Sequence, residues 1–110
     1  MAKFVRGNVV VVPFPFSDLS QSKRRPALVI TPLEGNDNIL CQITSKNIGD
    51  NYSISLDDVD FESGGLKQAS NIRPNRLFTA DNQIILYRVG NIKKEKLTQL
   101  IEKVIEIIKG

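Results

Sequence analysis

Four arginines and a lysine fall in two short clusters, each against a proline. Lys23, Arg24 and Arg25 run directly into Pro26 and a strand-like apolar stretch, and Arg73 and Arg76 flank Pro74 in the segment 70–76, SNIRPNR. A guanidinium is a planar, permanently charged fork of hydrogen-bond donors that grips phosphate oxygens well. A rigid strand behind a mobile basic loop can hold one such group, and the fixed φ of proline can preorganise another. Together the two clusters could form a basic groove that tracks a nucleic-acid backbone. The competing readings are a solvated charge run at 23–25 and dispersed surface charge at 73–76. Thr44 and Ser45 close another apolar stretch, ILCQITS at 39–45. A hydroxyl at a strand end can donate to a phosphate oxygen, although a Thr-Ser pair also simply starts turns.

Several chemistries fall away. The chain has no histidine and one cysteine, Cys41. This excludes imidazole acid–base or metal chemistry, an internal disulfide and a cysteine-rich metal site, and it suits a reducing compartment. Cys41 sits in an apolar stretch and reads as a small core residue. Asp57, Asp58, Asp60 and Glu62 match no calcium-loop spacing and read as a solvated acidic loop, so no metal or other cofactor is expected. Gly64-Gly65 lacks a following helix and reads as a turn rather than a phosphate loop. A chain without these groups could still cleave one substrate class, RNA. RNA carries its own nucleophile, the 2′-hydroxyl beside each phosphate, so a protein that cleaves it must position the backbone, stabilise charge and help move protons. Arginine and a hydroxyl can supply the first two.

The elements that must position these groups are short. The chain has 110 residues, 41% hydrophobic and 25% charged, with formal charge +3. That is ordinary globular composition for one domain, residues 1–110, able to bury a single core. The mild positive balance is compatible with an anionic partner. Strands are expected at Asn8–Phe14, which carries four consecutive valines, and at 26–31, 39–45, 52–56, 68–72 and 83–89. A basic loop at 17–25, an acidic loop at 57–65 and a break at Pro74 separate them, and Leu77 to Asp81 reads as a brief extended or helical turn. From Lys93 the period changes: Leu97, Leu100, Ile101, Val104, Ile105 and Ile108 form the buried stripe of an amphipathic helix. Five to seven short strands and a helix predict a mainly β fold, a small antiparallel barrel or rolled sheet with the helix on one side. No stretch reaches the length of a membrane span and no signal-peptide pattern opens the chain, so a cytoplasmic protein is expected.

In order along the chain, Gly7-Asn8-Val9-Val10, Arg25-Pro26-Ala27-Leu28-Val29-Ile30, Ile43-Thr44-Ser45, Ile72-Arg73-Pro74 and Phe78-Thr79-Ala80-Asp81, closed by the amphipathic helix, resemble the MazF/PemK-like toxins of bacterial type II toxin–antitoxin systems. The resemblance implies an SH3-like β-barrel with a C-terminal helix, usually a homodimer. It implies a metal-independent, sequence-specific endoribonuclease on single-stranded RNA, leaving 2′,3′-cyclic phosphate and 5′-hydroxyl ends, and an antitoxin whose acidic flexible segment blocks the RNA groove. By position, Arg25 would bind phosphate, stabilise charge and take part in proton transfer. Thr44 would contact the scissile phosphate, and Arg73 matches an arginine used at the site by some members. Lys23, Arg24, Ser45, Asn75 and Arg76 complete the expected RNA-binding set. The chain departs from the family where many members have Gly-Asp and it has Gly7-Asn8. It also has Asn75 where some have an aspartate base, and it lacks a first-loop histidine; Asp18 or Glu62 are the carboxylates that could substitute. Two other readings stay open: a non-catalytic nucleic-acid-binding barrel, and a proline-rich-peptide module, for which a chain with no Trp and two Tyr is poorly equipped.

Overall fold

The computed structural model describes residues 3–14 and 23–110. Its strands are β1 (Asn8–Phe14), β2 (Lys23–Pro32), β3 (Asp37–Thr44), β4 (Ile54–Leu56), β5 (Phe61–Gly64), β6 (Ser70–Asp81) and β7 (Tyr87–Ile92), followed by helix α1 (Lys94–Lys109). A single 3₁₀ turn, Asp58–Asp60, precedes β5. All seven strands join one antiparallel sheet in the order β4-β6-β3-β2-β1-β7-β5. The sheet curls into a half-barrel with the helix on one side, so the expected fold class is the one observed.

The valine run explains the centre. Strand β1 pairs with β2 on one edge and β7 on the other, and Val9 to Val12 are buried whichever face they point to. Alternation then splits its side chains between two apolar layers. Val9 joins Leu28, Cys41, Ile43, Ile72 and Ile92 beneath Leu100 of the helix. Val10 and Val12 point the other way and meet Ala27, Val29, Leu40, Ala80 and Ile85. Leu28, Leu40, Ile43, Ile72 and Leu100 are fully buried, each contributing about 1.5–3 kcal/mol relative to exposure.

Several expected boundaries move. The basic triplet is not loop: Lys23, Arg24 and Arg25 pair with Phe14, Pro13 and Val12, so β2 starts three residues before Pro26. Residues 17–22 of the expected basic loop, Asp18 among them, lie outside the described residues. Pro74 does not end a strand. β6 runs on to Asp81 because Pro74, Asn75 and Arg76 form a bulge between the pairs Gln42↔Arg73 and Cys41↔Leu77, where a residue without an N–H costs no ladder bond. The acidic loop holds the 3₁₀ turn and β5. There Gly64, with φ +70, lies directly against Gly90 of β7, so the expected glycine turn is a close strand crossing. The last strand begins at Tyr87, not Gln83. The helix stripe is only partly core: Leu100 and Val104 are buried, whereas Ile105 and Ile108 are 48% and 72% exposed. Among the described residues, no helix is long and apolar enough to cross a membrane.

Candidate nucleic-acid interface

Register places the candidate side chains. Directly opposed residues of neighbouring strands point to the same side of a sheet, as do residues i and i+2 of one strand. The pairs Val10↔Ala27, Ala27↔Gln42 and Gln42↔Arg73 make one row across four strands. The next row starts at Val12↔Arg25 and ends at Thr44↔Asn71. The β2–β3 ladder starts at Ala27↔Gln42, and two residues beyond it Arg25 lies on the side of the sheet that carries Thr44. The apolar layer of Val10, Ala27, Val29 and Leu40 therefore gives way, at one end of the sheet, to a polar surface of Arg25, Gln42, Thr44, Asn71 and Arg73.

The local chemistry of this surface is ordered. Thr44 is 6% exposed, and its Oγ1 accepts a hydrogen bond from the Lys46 N–H at 3.1 Å. That turn uses the oxygen as an acceptor and, among the described residues, leaves the hydroxyl proton free to donate. Asn71 donates from Nδ2 to the Lys46 carbonyl at 3.0 Å, holding the start of the β3–β4 loop against β6. The loop returns to the same surface at Asp50. Its Oδ1 accepts from the Tyr52 and Ser53 N–H groups, each at 2.9 Å, and its Oδ2 lies 3.4 Å from Arg73 Nη2. The two backbone donors, and then Arg73, hold the Asp50 carboxyl below the usual carboxylate range against the opposing effect of partial burial. Arg73 is 16% exposed, and its Nε is buried without a hydrogen-bond partner. Among the described residues, that guanidinium is left unsaturated.

Arg25, Thr44 and Arg73 thus share one face, and Lys23 joins them by alternation, exposed at the strand's start. Arg24 alternates to the opposite face. Ser45 is exposed just beyond β3, and Asn75 and Arg76 are exposed in the β6 bulge, outside the two paired rows. Glu62 sits on β5, three strands from β2 at the Asn8 end of β1, which removes it as a carboxylate acting at Arg25. Gly7-Asn8 also belongs to that distant end. Asn8 is 3% exposed, accepts from the Val5 N–H at 2.9 Å and donates from Nδ2 to Asn91 Oδ1, a pair of roles no carboxylate can fill. Sequence reasoning missed Gln42, Asn71 and Asp50. Alternation within Ser70-Asn71-Ile72-Arg73 could have paired Asn71 with Arg73, but nothing local marked Asp50. Cys41 is fully buried, and burial pushes its thiol well above the ordinary range.

A family model, the PemK-like, MazF-like toxin of type II toxin–antitoxin systems, matches residues 5–108. The chain belongs to this family. Solved structures agree on the fold. MazF from Deinococcus radiodurans is similar with a TM-score of 0.77 and 18% identity, each chain covering 100% of the other. The Mycobacterium tuberculosis toxin MazF-mt6 is similar at 0.73 and 17% identity, over 93% of this chain and 96% of that one. An endoribonuclease from a mycobacterial species, in complex with its cognate antitoxin, is similar at 0.77 and 9% identity, over 96% and 95%. No curated protein matches the chain. The family's fold is therefore carried by a sequence far from these structural relatives.

Proposed function

We propose that this member of the family is a metal-independent endoribonuclease that cuts single-stranded RNA at short sequences. The observation that supports it is the gathering of Arg25, Thr44 and Arg73 on one face at one end of four paired strands. In this reading the substrate's 2′-oxygen attacks the adjacent phosphorus and the 5′-oxygen of the next nucleotide leaves, giving a 2′,3′-cyclic phosphate and a 5′-hydroxyl end. Arg25 binds the phosphate and stabilises its growing charge. The Thr44 hydroxyl donates to a phosphate oxygen, and Arg73 holds a neighbouring phosphate. With no histidine in the chain, proton transfer falls to Arg25 and solvent.

The partners follow from the same reading. An antitoxin with an acidic, flexible segment would occupy the basic face, as competition for phosphate-binding arginines requires. The mycobacterial endoribonuclease described as in complex with its cognate antitoxin favours that partner. A homodimer fits the exposed apolar side chains Ile84, Leu86 and Tyr87. The compartment proposed is the cytoplasm, where RNA is available and Cys41 stays reduced.

A second reading, a non-catalytic RNA-binding relative, is favoured by Asn75, which cannot accept a proton at neutral pH. The test is to incubate purified protein with long single-stranded RNA in EDTA and map the new ends, with a 2′-O-methyl RNA of the same sequence alongside. Discrete cuts with 5′-hydroxyl ends in the unmodified RNA alone are expected. Salt-sensitive binding without cuts would establish the second reading instead, and cuts in the 2′-O-methyl strand would overturn the 2′-oxygen mechanism.

A further inference from the structure

We propose that Asp50 is a positioning residue, which holds the Arg73 guanidinium in place on the face carrying Arg25 and Thr44 so that it meets an RNA phosphate already oriented. The proposal rests on the endoribonuclease reading above. Its basis is that the Asp50 carboxylate is fixed from the loop side. Two backbone N–H groups, those of Tyr52 and Ser53, bind Oδ1 at 2.9 Å each, whereas Arg73 touches only Oδ2 at 3.4 Å. The loop that carries Asp50 is itself fixed at its start, where Lys46 donates to Thr44 and accepts from Asn71. The carboxylate is therefore the anchor, and the long arginine side chain is what it restrains. A guanidinium retains donors for a second acceptor after one has been engaged. Among the described residues the buried Arg73 Nε has no hydrogen-bond partner, so its hydrogen-bonding is incomplete there.

The sign of one substitution separates this role from simple electrostatics. Asp50→Asn keeps a side-chain oxygen for the Tyr52 and Ser53 N–H groups but removes the charged acceptor that faces Arg73. It also deletes a negative charge beside a basic face. By charge alone it should tighten RNA binding and steepen the salt dependence. As a loss of positioning it should weaken binding.

The experiment measures binding of a fluorescently tagged, mixed-sequence 2′-O-methyl RNA, which cannot be cut through its 2′-oxygen, to wild type, D50N, R73A and the double variant, with thermal melting of each. The expected result is that D50N binds about fivefold more weakly, the scale of an ordinary net hydrogen bond, and R73A at least about tenfold more weakly, the scale of a charge-assisted one. D50N should cause no further weakening in the R73A background, because Asp50 positions RNA only through Arg73. Equal or tighter binding by D50N would overturn the proposal, as would a D50N effect that persists undiminished in the double variant. If wild type itself fails to bind, the RNA reading falls and the proposal with it, an outcome distinct from the other two. D50E restores the charge on a longer arm that misfits the loop N–H anchors, and it should recover less than half of the lost affinity.

Discussion

The crossing of β5 and β7 offers a sharp test of the fold, because two glycines meet there backbone to backbone. A Cβ placed on Gly90 would lie 2.4 Å from the Ser63 carbonyl oxygen and 3.0 Å from the Gly65 nitrogen. Both are main-chain atoms, so relief requires moving a strand rather than rotating a side chain. Among the described strands β5 pairs with β7 alone, and shifting it breaks pairing from Phe61 to Gly64 and the Gly65 N–H bond to the Val89 carbonyl. Overpacking of this kind costs about 1–3 kcal/mol. For 110 residues the unfolding entropy near the midpoint is about 0.23 kcal/mol/K, so Gly90→Ala should lower Tm by about 4–13 °C. Gly49 is the internal control. A Cβ there meets nothing within 4 Å and its φ is not left-handed. Gly49→Ala should therefore be neutral or raise stability by about 0.4–1 kcal/mol through the unfolded chain alone. Scanning calorimetry of both variants measures the difference between two identical chemical changes. Equal melting temperatures would refute the close crossing.

Other outcomes follow from individual polar groups and the buried thiol. Asp50, held below the usual carboxylate range, stabilises the fold above its unfolded value near pH 3.8 and loses that contribution as pH falls through the lowered folded value; the gap between wild type and D50N in urea midpoint should close between pH 5 and acid. The Cys41 thiol, held neutral by burial, should resist a thiol reagent in the native protein and react at once in denaturant, and stability should decline as pH rises past about 8.5, where the unfolded thiol ionises. Asn8→Asp should destabilise this chain by about 1–3 kcal/mol, because its carboxylate would face Asn91 Oδ1 with no donor between them; equal urea midpoints for the two proteins would contradict that pairing.

Much of this molecule is legible from local pattern. The valine run, the apolar 39–45 stretch and the change to helical period each follow from side-chain spacing and gave β1, β3 and α1 within a few residues. The errors have a common physical origin in pairing between distant segments. Pro74 looks like a strand end until β3 is seen to supply a partner on both sides of a bulge. Residues 83–86 look like strand because Ile84, Ile85 and Leu86 are apolar, yet only Ile85 is buried there. Ile105 and Ile108 keep helical period but remain exposed, because period reports a face and not what covers it. At the candidate site, residue type and resemblance single out Arg25, Thr44 and Arg73, and register places them on one face. That Arg24 faces away while Arg25 does not depends on the register with β1, and Asp50 enters through a loop that folds back.

That one-residue difference gives the most direct test of the central claim. Arg24→Ala and Arg25→Ala each remove one positive charge from the same strand, on opposite faces. Initial cleavage rates of a long single-stranded RNA in EDTA, with thermal melting of both variants, compare them. The account predicts that R24A keeps cleavage within about threefold of wild type, as expected for a residue outside the reaction centre, whereas R25A loses at least about a hundredfold, the scale of removing a charge-stabilising donor. Equal losses in the two variants, or an active R25A, would contradict it.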